Sequence, residues 1–359
     1  MRILVTGGAG FIGSHLTERL VVEGHKVRVL DNLSSGRREH LSAVFDQIEC
    51  VVGDVRDRGD VSFALRERDA VVHLAAIASV PASLLDPVGT HETNFDGTLV
   101  LLDAARRQGL DRFVYASSAA VYGDSVSPPV REDEPPEPGS PYAADKLAGE
   151  YFLRFYARRY GIRAITLRFF NVYGPRQDPG SSYSGVISRF LYAAAHNQPL
   201  TLFGDGRQTR DFVWVADVAG CLARMVSAPV DAFTLMNVGT GRESSLLDLI
   251  NVMEDRLGRG LERRIESARP DDIQRSCADT ARMRHSGISC DTGLDSGLGR
   301  LMRIAGIERV PVGSVKRGGQ KRSIALHEVA LVAKEIEDRK DCPASGVITK
   351  RAVPARDLE

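Results

Sequence analysis

Residues 3–13 read Ile3-Leu4-Val5-Thr6-Gly7-Gly8-Ala9-Gly10-Phe11-Ile12-Gly13, and this stretch decides the fold. Its first four residues form a short apolar run that is typical of a buried parallel strand. The glycines permit a tight turn, a close backbone approach to a pyrophosphate, and close packing of a helix on the strand. A helix is expected to begin near Phe11. The stretch therefore predicts a strand, a phosphate-binding turn and a helix, in that order.

Short β-branched apolar runs alternate with helical patterns through the first half of the chain. The runs that we predict to be buried parallel strands are Ile3–Thr6, Val27–Leu30, Cys50–Val52, Ala70–Leu74, Phe113–Ala116 and Ala164–Leu167. This alternation is typical of a sheet with helices on both faces. We expect an α/β protein with a Rossmann-type doubly wound parallel sheet and a smaller C-terminal substrate-binding lobe.

The chain is expected to have three regions. Residues 1–168 are predicted to form the dinucleotide-binding domain, and residues 169–306, whose loops are rich in Gly, Pro, Asp and Ser, a lobe interleaved with it. Residues 307–359 look different, because a Lys/Arg/Gly-rich stretch precedes one helical pattern that begins after Ser323. We predict an atypical extension with one helix there.

Charge and cysteine usage narrow the functional class. Lys and Arg number 47, and so do Asp and Glu, so the formal net charge is zero and no nucleic-acid partner is indicated. No apolar run approaches membrane-spanning length and no leader precedes Ile3, so no membrane association is expected. The 5 cysteines show no short-spaced pairs, which argues against both a disulfide framework and a metal site. We expect a cytoplasmic protein.

An acidic residue follows the second predicted strand. Asp31 lies 18 residues after Gly13, near the separation expected for a carboxylate that binds a ribose. A carboxylate accepts hydrogen bonds from a free 2′-hydroxyl and repels a 2′-phosphate, so we predict NAD rather than NADP. Asp54 and Val55 follow the third strand, where they would either contact the adenine or form an ordinary turn.

A tyrosine and a lysine are predicted on one helical face. Ser140 and Pro141 are a favourable N-cap and first helical residue, which places Tyr142 and Lys146 one turn apart. An ammonium group near a phenol favours the phenolate, so Tyr142 would act as a base. Ser118 ends the fifth predicted strand, 24 residues before Tyr142, where its hydroxyl would bond the same substrate oxygen.

Taken in register, these residues resemble the extended short-chain dehydrogenase/reductases and, within them, the sugar-nucleotide epimerases and dehydratases. The resemblance runs from Met1 to about Ile304. The segments that carry it are Thr6–Gly13, Asp31-Asn32, Asp54-Val55, His73–Ala76, Asn94, Ser117–Gly123, Tyr142–Lys146, Arg168–Pro175, Arg210–Val213 and Asn237–Gly239. The resemblance implies a tightly held NAD, a nucleoside-diphosphate sugar as substrate, and a homodimer formed by a four-helix bundle that includes the Tyr142–Lys146 helix.

The resemblance also implies which residues bind the cofactor. They are Gly7, Gly10, Phe11, Ile12, Gly13, Asp31, Asn32, Gly36, Asp54, Val55, Leu74, Ala75, Ala76, Asn94, Ser117, Tyr142, Lys146 and Phe169.

The branch of the family follows from Ala119 and Ala120. Dehydratases and decarboxylases of the family place an acidic residue in this segment, so the chain is most similar to the UDP-hexose 4-epimerases. In their mechanism the tyrosine takes the proton of the sugar 4-hydroxyl, the serine shares it, and the lysine positions the nicotinamide ribose and lowers the pKa of the tyrosine. These roles would fall to Tyr142, Ser118 and Lys146. A UDP-glucuronate 4-epimerase, a dehydratase and a non-catalytic NAD-binding regulator remain alternatives.

For the UDP-sugar, the resemblance implies the diphosphate contacts and the uracil pocket. Asn171, Arg210 and Arg269 would contact the diphosphate. Val186, Thr201 and Phe203 would line the uracil pocket.

The resemblance also implies the positions that select the sugar. They are Ala78, Ser118, Ala119, Asn171, Gln177 and Ser276. Small residues at 78 and 276 leave room for an N-acetyl group, so exchange of UDP-GlcNAc and UDP-GalNAc is expected beside that of UDP-glucose and UDP-galactose. Asp178 is expected near the sugar, where it would repel a glucuronate.

Overall fold

The structure is a computed structural model that describes residues 1–124, 127–178, 185–268 and 273–307. Within these ranges the strands are β1 (Arg2–Thr6), β2 (Lys26–Asp31), β3 (Glu49–Val52), β4 (Ala70–His73), β5 (Arg112–Ser118), β6 (Arg163–Phe169), β7 (Asn171–Tyr173), β8 (Leu200–Phe203), β9 (Thr209–Arg210), β10 (Phe212–Trp214), β11 (Phe233–Val238), β12 (Ser244–Ser245) and β13 (Arg263–Glu266).

Seven of these strands form a parallel sheet in the order β11-β6-β5-β4-β1-β2-β3. In its register, Val5 pairs with Val29 on one side and with Val72 on the other. These side chains are buried, as expected for a parallel sheet that is covered on both faces. The predicted doubly wound fold is confirmed, and each predicted strand lies within two residues of its observed bounds.

The helices follow the strands along the chain. They are α1 (Phe11–Val22), α2 (Arg58–Leu65), α3 (Val80–Leu85), α4 (Pro87–His91), α5 (Gly97–Arg107), α6 (Pro141–Tyr160), α7 (Val186–Ala195), α8 (Val215–Ser227), α9 (Leu246–Leu257), α10 (Ala281–His285) and α11 (Leu294–Ile304). A π-helical turn (Glu92–Asp96) joins α4 to α5.

Two apolar clusters hold the helices on the two faces of the sheet. On one face, Leu16 and Leu20 of α1 join Leu222 of α8 and Val29 of the sheet. On the other face, residues of α2, α5 and α6 pack on Leu4, Val71 and Phe113. None of the described helices has both the length and the hydrophobicity that crossing a bilayer would require.

The second half of the chain contributes three short sheets, which pair β7 with β10, β8 with β13 and β9 with β12. A third apolar cluster, with Leu200 of β8, Met253 of α9 and Leu298 of α11, supports them. β11 returns to the central sheet beside β6, so the two predicted lobes share that sheet. The lobe boundaries remain predictions, and the helix predicted after Ser323 lies outside the described residues.

Candidate functional site

The glycine turn between β1 and α1 is packed too tightly for side chains. Gly7 has φ +68°, and a Cβ there would lie 2.7 Å from the nitrogen of Ala75, while a Cβ on Gly13 would lie 2.1 Å from the Gly7 oxygen. Gly10 begins α1 without a side-chain cap, and the first turn has no acidic residue. The backbone N–H groups of a helix N-terminus attract anions. This turn therefore fits a dinucleotide pyrophosphate.

Asp31 is fixed at the carboxyl end of β2. One carboxylate oxygen accepts a hydrogen bond from the Ala9 N–H at 2.9 Å, and the other accepts one from the Leu33 N–H at 2.9 Å. A Cβ on Gly36 would lie 2.8 Å from this carboxylate, so glycine lets the loop fold over it. Each oxygen has a second lone pair for a ribose hydroxyl. The carboxylate therefore both ties the glycine turn to β2 and fits the predicted ribose contact.

The predicted adenine-side residues also come together. The Asn32 side chain donates to Asp54 at 3.0 Å, and the Arg56 guanidinium donates to the same carboxylate. The Arg56 hydrogen bond lowers the pKa of Asp54 to about 2, so this carboxylate is ionised at neutral pH. Val55 beside it is buried. After β3, Asp54 and Val55 thus place a polar side chain next to an apolar one, an arrangement that suits an adenosine.

Two of the predicted cofactor residues have side chains that are engaged by the protein itself. The buried Asn94 accepts from the Ile77 N–H at 2.7 Å and donates to the Ile77 carbonyl at 3.1 Å, which fixes the loop containing Leu74, Ala75 and Ala76. The Ser117 hydroxyl donates to Glu150 on α6. Asn94 therefore holds neighbouring backbone in place, and Ser117 links β5 to the Glu150 side chain of α6.

Ser118, Tyr142 and Lys146 meet between β5 and α6. Ser140 caps α6, accepting from the Ala143 N–H at 3.2 Å, so the helix begins where the sequence predicted. The Lys146 ammonium donates to the Ala116 carbonyl at 2.8 Å and lies 5.9 Å from the centre of the Tyr142 ring. The Tyr142 side chain interacts with the Ser118 hydroxyl. The three predicted groups are thus within one small site.

The ionisation of this site differs from the expectation in one respect. Burial raises the pKa of Tyr142, and the hydrogen bond with Ser118 only partly opposes this effect. The expectation that the protein's own groups lower the pKa of Tyr142 is therefore wrong. Removing a phenolate from water costs more free energy than the neighbouring groups of the protein supply. Burial also lowers the pKa of Lys146 to about 8, against the opposing charges of Asp145 and Glu150.

A pocket opens beside Ser118. Of the predicted residues, Ser118, Ala119, Phe169, Asn171, Arg210 and Ser276 line it. Residues that were not predicted complete the lining: Ala120, Tyr122, Gly123, Val130, Phe170, Ile273 and Arg275. Among the described lining residues there is no Asp or Glu. Ala119 and Ala120 follow Ser118 in this lining, and Arg210 and Arg275 also belong to it.

Other predicted substrate residues lie outside this described lining. Gln177 accepts from the Ser188 hydroxyl at 2.8 Å. Val186 packs on the core of the second lobe. Thr201 and Phe203 are half-buried on β8, and Ala78 is exposed after β4. Arg269 falls outside the residues that the structure describes.

Asp178, in the loop after Gln177, contacts the loop that follows Asp31. Its carboxylate accepts a hydrogen bond from Arg37 at 3.1 Å, in the loop that follows Asp31, and it does not belong to the pocket lining. The effect of Asp178 on a glucuronate substrate stays a prediction. The chain bends after Arg176, which has φ +67°, and a loop of this kind has no periodic signal that reveals its direction.

The pocket residues that the sequence did not predict differ in whether a sequence signal could have revealed them. Arg275 adjoins the predicted Ser276 and pairs with Glu243 at 2.6 Å, so proximity along the chain would have found it. Val130 reaches the pocket through a backbone bridge to Ala278. A contact between residues so far apart in sequence leaves no local pattern.

The profile of the family described as "NAD dependent epimerase/dehydratase family" matches residues 3–239. The chain belongs to this family. A UDP-glucose 4-epimerase of Mycolicibacterium smegmatis is 41% identical over 289 residues, covering 79% of this chain and 91% of that protein.

Two solved structures of sugar-nucleotide epimerases are also similar. The UDP-N-acetylglucosamine 4-epimerase of Methanobrevibacter ruminantium, in complex with UDP-N-acetylmuramic acid, has a TM-score of 0.80 and 33% identity, covering 84% of this chain and 97% of that one. The UDP-glucose 4-epimerase of Thermus thermophilus, in complex with NAD, has a TM-score of 0.77 and 39% identity, covering 84% and 97%. NAD is the cofactor, and the glycine turn and Asp31 fit it.

Proposed function

We propose that the protein is an NAD-dependent UDP-hexose 4-epimerase that interconverts UDP-glucose with UDP-galactose, or UDP-GlcNAc with UDP-GalNAc. The observation that carries this proposal is the meeting of Ser118, Tyr142 and Lys146 beside a pocket whose described lining has no carboxylate. A dehydratase needs an acid and a base besides the tyrosine. An epimerase needs only groups that move the proton of the 4-hydroxyl.

In this proposal Tyr142 accepts the proton of the sugar 4-hydroxyl, and Ser118 donates a hydrogen bond to the same oxygen. Lys146 holds its positive charge one helical turn from the phenol, which favours the phenolate. When bound, NAD would accept a hydride from C4, and the 4-keto sugar would turn over in the pocket before the hydride returns to its opposite face. Tyr142 then gives its proton back. Burial raises the pKa of Tyr142, and the positive charge of an oxidised nicotinamide would oppose this effect by favouring the phenolate.

For substrate binding, we propose that Arg210 and Arg269 neutralise the diphosphate and that Asn171 contacts it. Arg210 is held in place because its guanidinium donates to the carbonyls of Thr209 and Ile273 at 2.8 and 2.6 Å. A guanidinium fork is suited to phosphate oxygens. The uracil contacts of Val186, Thr201 and Phe203 are likewise proposed.

A second candidate is the 4-epimerisation of UDP-glucuronate. It is supported by Arg275, a second arginine in the pocket lining beside Ser276, although its guanidinium pairs with Glu243. The non-catalytic regulator is disfavoured because all three of the groups that the chemistry needs are present together.

We also propose a homodimer formed through α6. The support is an aromatic row on the exposed side of this helix, with Tyr151, Phe152, Phe155 and Tyr160. Apolar side chains clustered in this way mark interaction surfaces. A cytoplasmic location is proposed as well, because the cysteines that the structure describes are free thiols, as in a reducing compartment.

The test is to incubate the purified protein separately with UDP-glucose, UDP-GlcNAc and UDP-glucuronate and to follow products by NMR and mass spectrometry. We expect a C4 epimer of unchanged mass. Tyr142→Phe is expected to lower kcat about 10³-fold, because it removes the proton acceptor without removing the ring. Loss of water or carbon dioxide would contradict the assignment, and no turnover of any substrate would support the regulator.

A further inference from the structure

The ammonium group of Lys146 is buried between β5 and α6. Only 4% of the residue is exposed, and the ammonium donates a hydrogen bond to the Ala116 carbonyl at 2.8 Å. Within the described ranges it forms no ion pair with a carboxylate. Burying a charge is costly unless the charge is paired. Another group must therefore contribute to holding this cation in the interior.

The aromatic ring of Tyr115 is such a group. The Lys146 nitrogen lies over this ring, 5.0 Å from its centre, and is closer to it than to the ring of Tyr142 at 5.9 Å. A cation within about 6 Å of an aromatic centroid is attracted to the negative face of the ring, most strongly when both are removed from water. Tyr115 is completely buried in β5. The contact is therefore of a kind that stabilises a buried ammonium.

The Tyr115 ring is fixed in place by its surroundings. Gly149 of α6 leaves room for it, because a Cβ there would lie 2.5 Å from the hydroxyl oxygen. The His73 ring lies 5.8 Å from it. The hydroxyl is buried and makes no hydrogen bond of ordinary geometry with the described residues, although Thr98 is near it. Burial raises the pKa of the phenol, so the ring is uncharged. The ring face, and not the hydroxyl, is therefore what Tyr115 offers to the site.

We propose that Tyr115 is a positioning residue, whose ring face holds the Lys146 ammonium in its charged form and in its place beside Tyr142. The proposal rests on the proposed epimerase function. An ammonium has three N–H donors. One of them is used on the Ala116 carbonyl, and the ring attracts the charge without accepting a conventional hydrogen bond. This arrangement leaves donors for the nicotinamide ribose.

The charged groups of α6 next to Lys146 do not take over this role. Asp145 and Glu150 both favour the ammonium form. However, each of these carboxylates contacts another side chain, His91 of α4 for Asp145 and Arg168 of β6 for Glu150. Both contacts are kept in every variant described below.

The remaining ionisable groups around the site are neutral or paired. Burial lowers the pKa of His73 on β4 to about 3 and raises the pKa of Tyr122, in the turn after β5, to about 12. Asp103 of α5 pairs with arginines of its own helix, and Glu92 of the π-helical turn pairs with Arg56. α3 and β11 have no ionisable side chain. A change at Tyr115 therefore alters the environment of Lys146 without altering these charges.

The sign of the effect follows from the pKa of Lys146. Burial lowers this pKa to about 8, and the ring face favours the charged form against burial. Without the ring the pKa falls further, so the ammonium is lost at a lower pH. We expect Tyr115→Leu to move the alkaline limb of the kcat profile down by about one pH unit. Tyr115→Phe keeps the ring face, so its limb should stay near that of the wild type.

Phe113 provides the matched control for a loss of packing. It is a buried aromatic residue of the same apolar cluster, and its ring also packs on His73, with centroids 6.0 Å apart. The ammonium lies over the rings of Tyr115 and Tyr142 and not over this one. Phe113→Leu should therefore lower the melting temperature as Tyr115→Leu does, but leave the limb in place. A limb that moves equally in both variants would overturn the proposal.

A fluorinated ring tests the same contact without removing the aromatic side chain. Replacement of Tyr115 by trifluorophenylalanine keeps the planar shape and weakens the negative face of the ring. We expect the limb to move down relative to Tyr115→Phe, by less than in Tyr115→Leu. Because this ring fills nearly the same space, the measurement remains possible if Tyr115→Leu does not fold. An identical limb for the fluorinated ring and Tyr115→Phe would contradict an electrostatic role of the ring.

A second measurement is independent of turnover. The titration of the Lys146 side chain is followed by NMR in lysine-labelled protein saturated with NAD, with Lys146→Arg for assignment. The midpoint should fall in Tyr115→Leu and with the fluorinated ring, and stay in place in Tyr115→Phe and Phe113→Leu. If the wild type turns over no UDP-sugar and the midpoint still moves as expected, the epimerase assignment fails and the role of Tyr115 stands. If the midpoint does not move, the role of Tyr115 fails whatever the turnover.

Discussion

At the cofactor end of the site, the groups that fit NAD stand at the ends of neighbouring strands, whereas the proposed sugar end draws on strands, a short helical turn and a distant loop. The glycine turn, Asp31 and Ala75 follow β1, β2 and β4, which lie side by side. The sugar end combines Ser118, Asn171 and the segment from Ile273 to Ser276. One end therefore depends on local backbone geometry, and the other on long-range packing.

This difference predicts how each end responds to substitution. At the cofactor end, the glycine turn packs backbone against backbone, so a methyl group added to one of its glycines would clash with backbone atoms. At the sugar end, side chains line an open pocket, so substitutions change affinity and selectivity in steps. The predictions below test this contrast.

Gly13→Ala is expected to have the largest effect. The new Cβ would lie 2.1 Å from the Gly7 oxygen, so the turn must move away from its place against α1. Overpacking of about 2–3 kcal/mol corresponds to about 100-fold weaker NAD binding, measured by calorimetry. The control is Gly220→Ala in α8, where a Cβ meets nothing within 4 Å. This control should gain about 0.5–1 kcal/mol of stability. Equal NAD affinity in the two variants would contradict the claim that the glycine turn does not tolerate a methyl group.

Arg210→Lys is expected to have an intermediate effect at the sugar end. Lysine keeps the charge but loses the fork, so KM for the UDP-sugar should rise about tenfold with little change in kcat. Arg207→Lys is the matched control, because Arg207 is exposed and pairs with Asp205 outside the pocket lining. A large fall in kcat with unchanged KM would mean that Arg210 does not act in ground-state binding.

Ser276→Leu is expected to have the smallest effect. The larger side chain narrows the pocket where an N-acetyl group would lie, so the ratio of kcat/KM for UDP-GlcNAc to that for UDP-glucose should fall about fivefold. The measurement is steady-state kinetics with both substrates in the same preparation. A ratio that stays constant would place the sugar 2-substituent elsewhere in the pocket.

The same contrast explains what could be predicted from the sequence. The strand, turn and helix of residues 3–13 and the Ser140 cap of α6 depend on neighbours along the chain, and the structure has both of them as expected. The direction of Asp178 depends on a loop with no periodicity, and its pairing with Arg37 was not foreseen. The raised pKa of Tyr142 also escaped prediction, because burial depends on the whole fold rather than on the spacing to Lys146.

The return of β11 to the central sheet bears on how the chain is made. β6 ends at Phe169, and its outer neighbour begins only at Phe233. During synthesis from the N-terminus, one edge of β6 therefore has no partner strand until the residues up to β11 have been added. Unpaired strand edges invite association with other chains, and pairings between distant segments form slowly. We therefore expect the central sheet to be completed only after Phe233–Val238 has been synthesised.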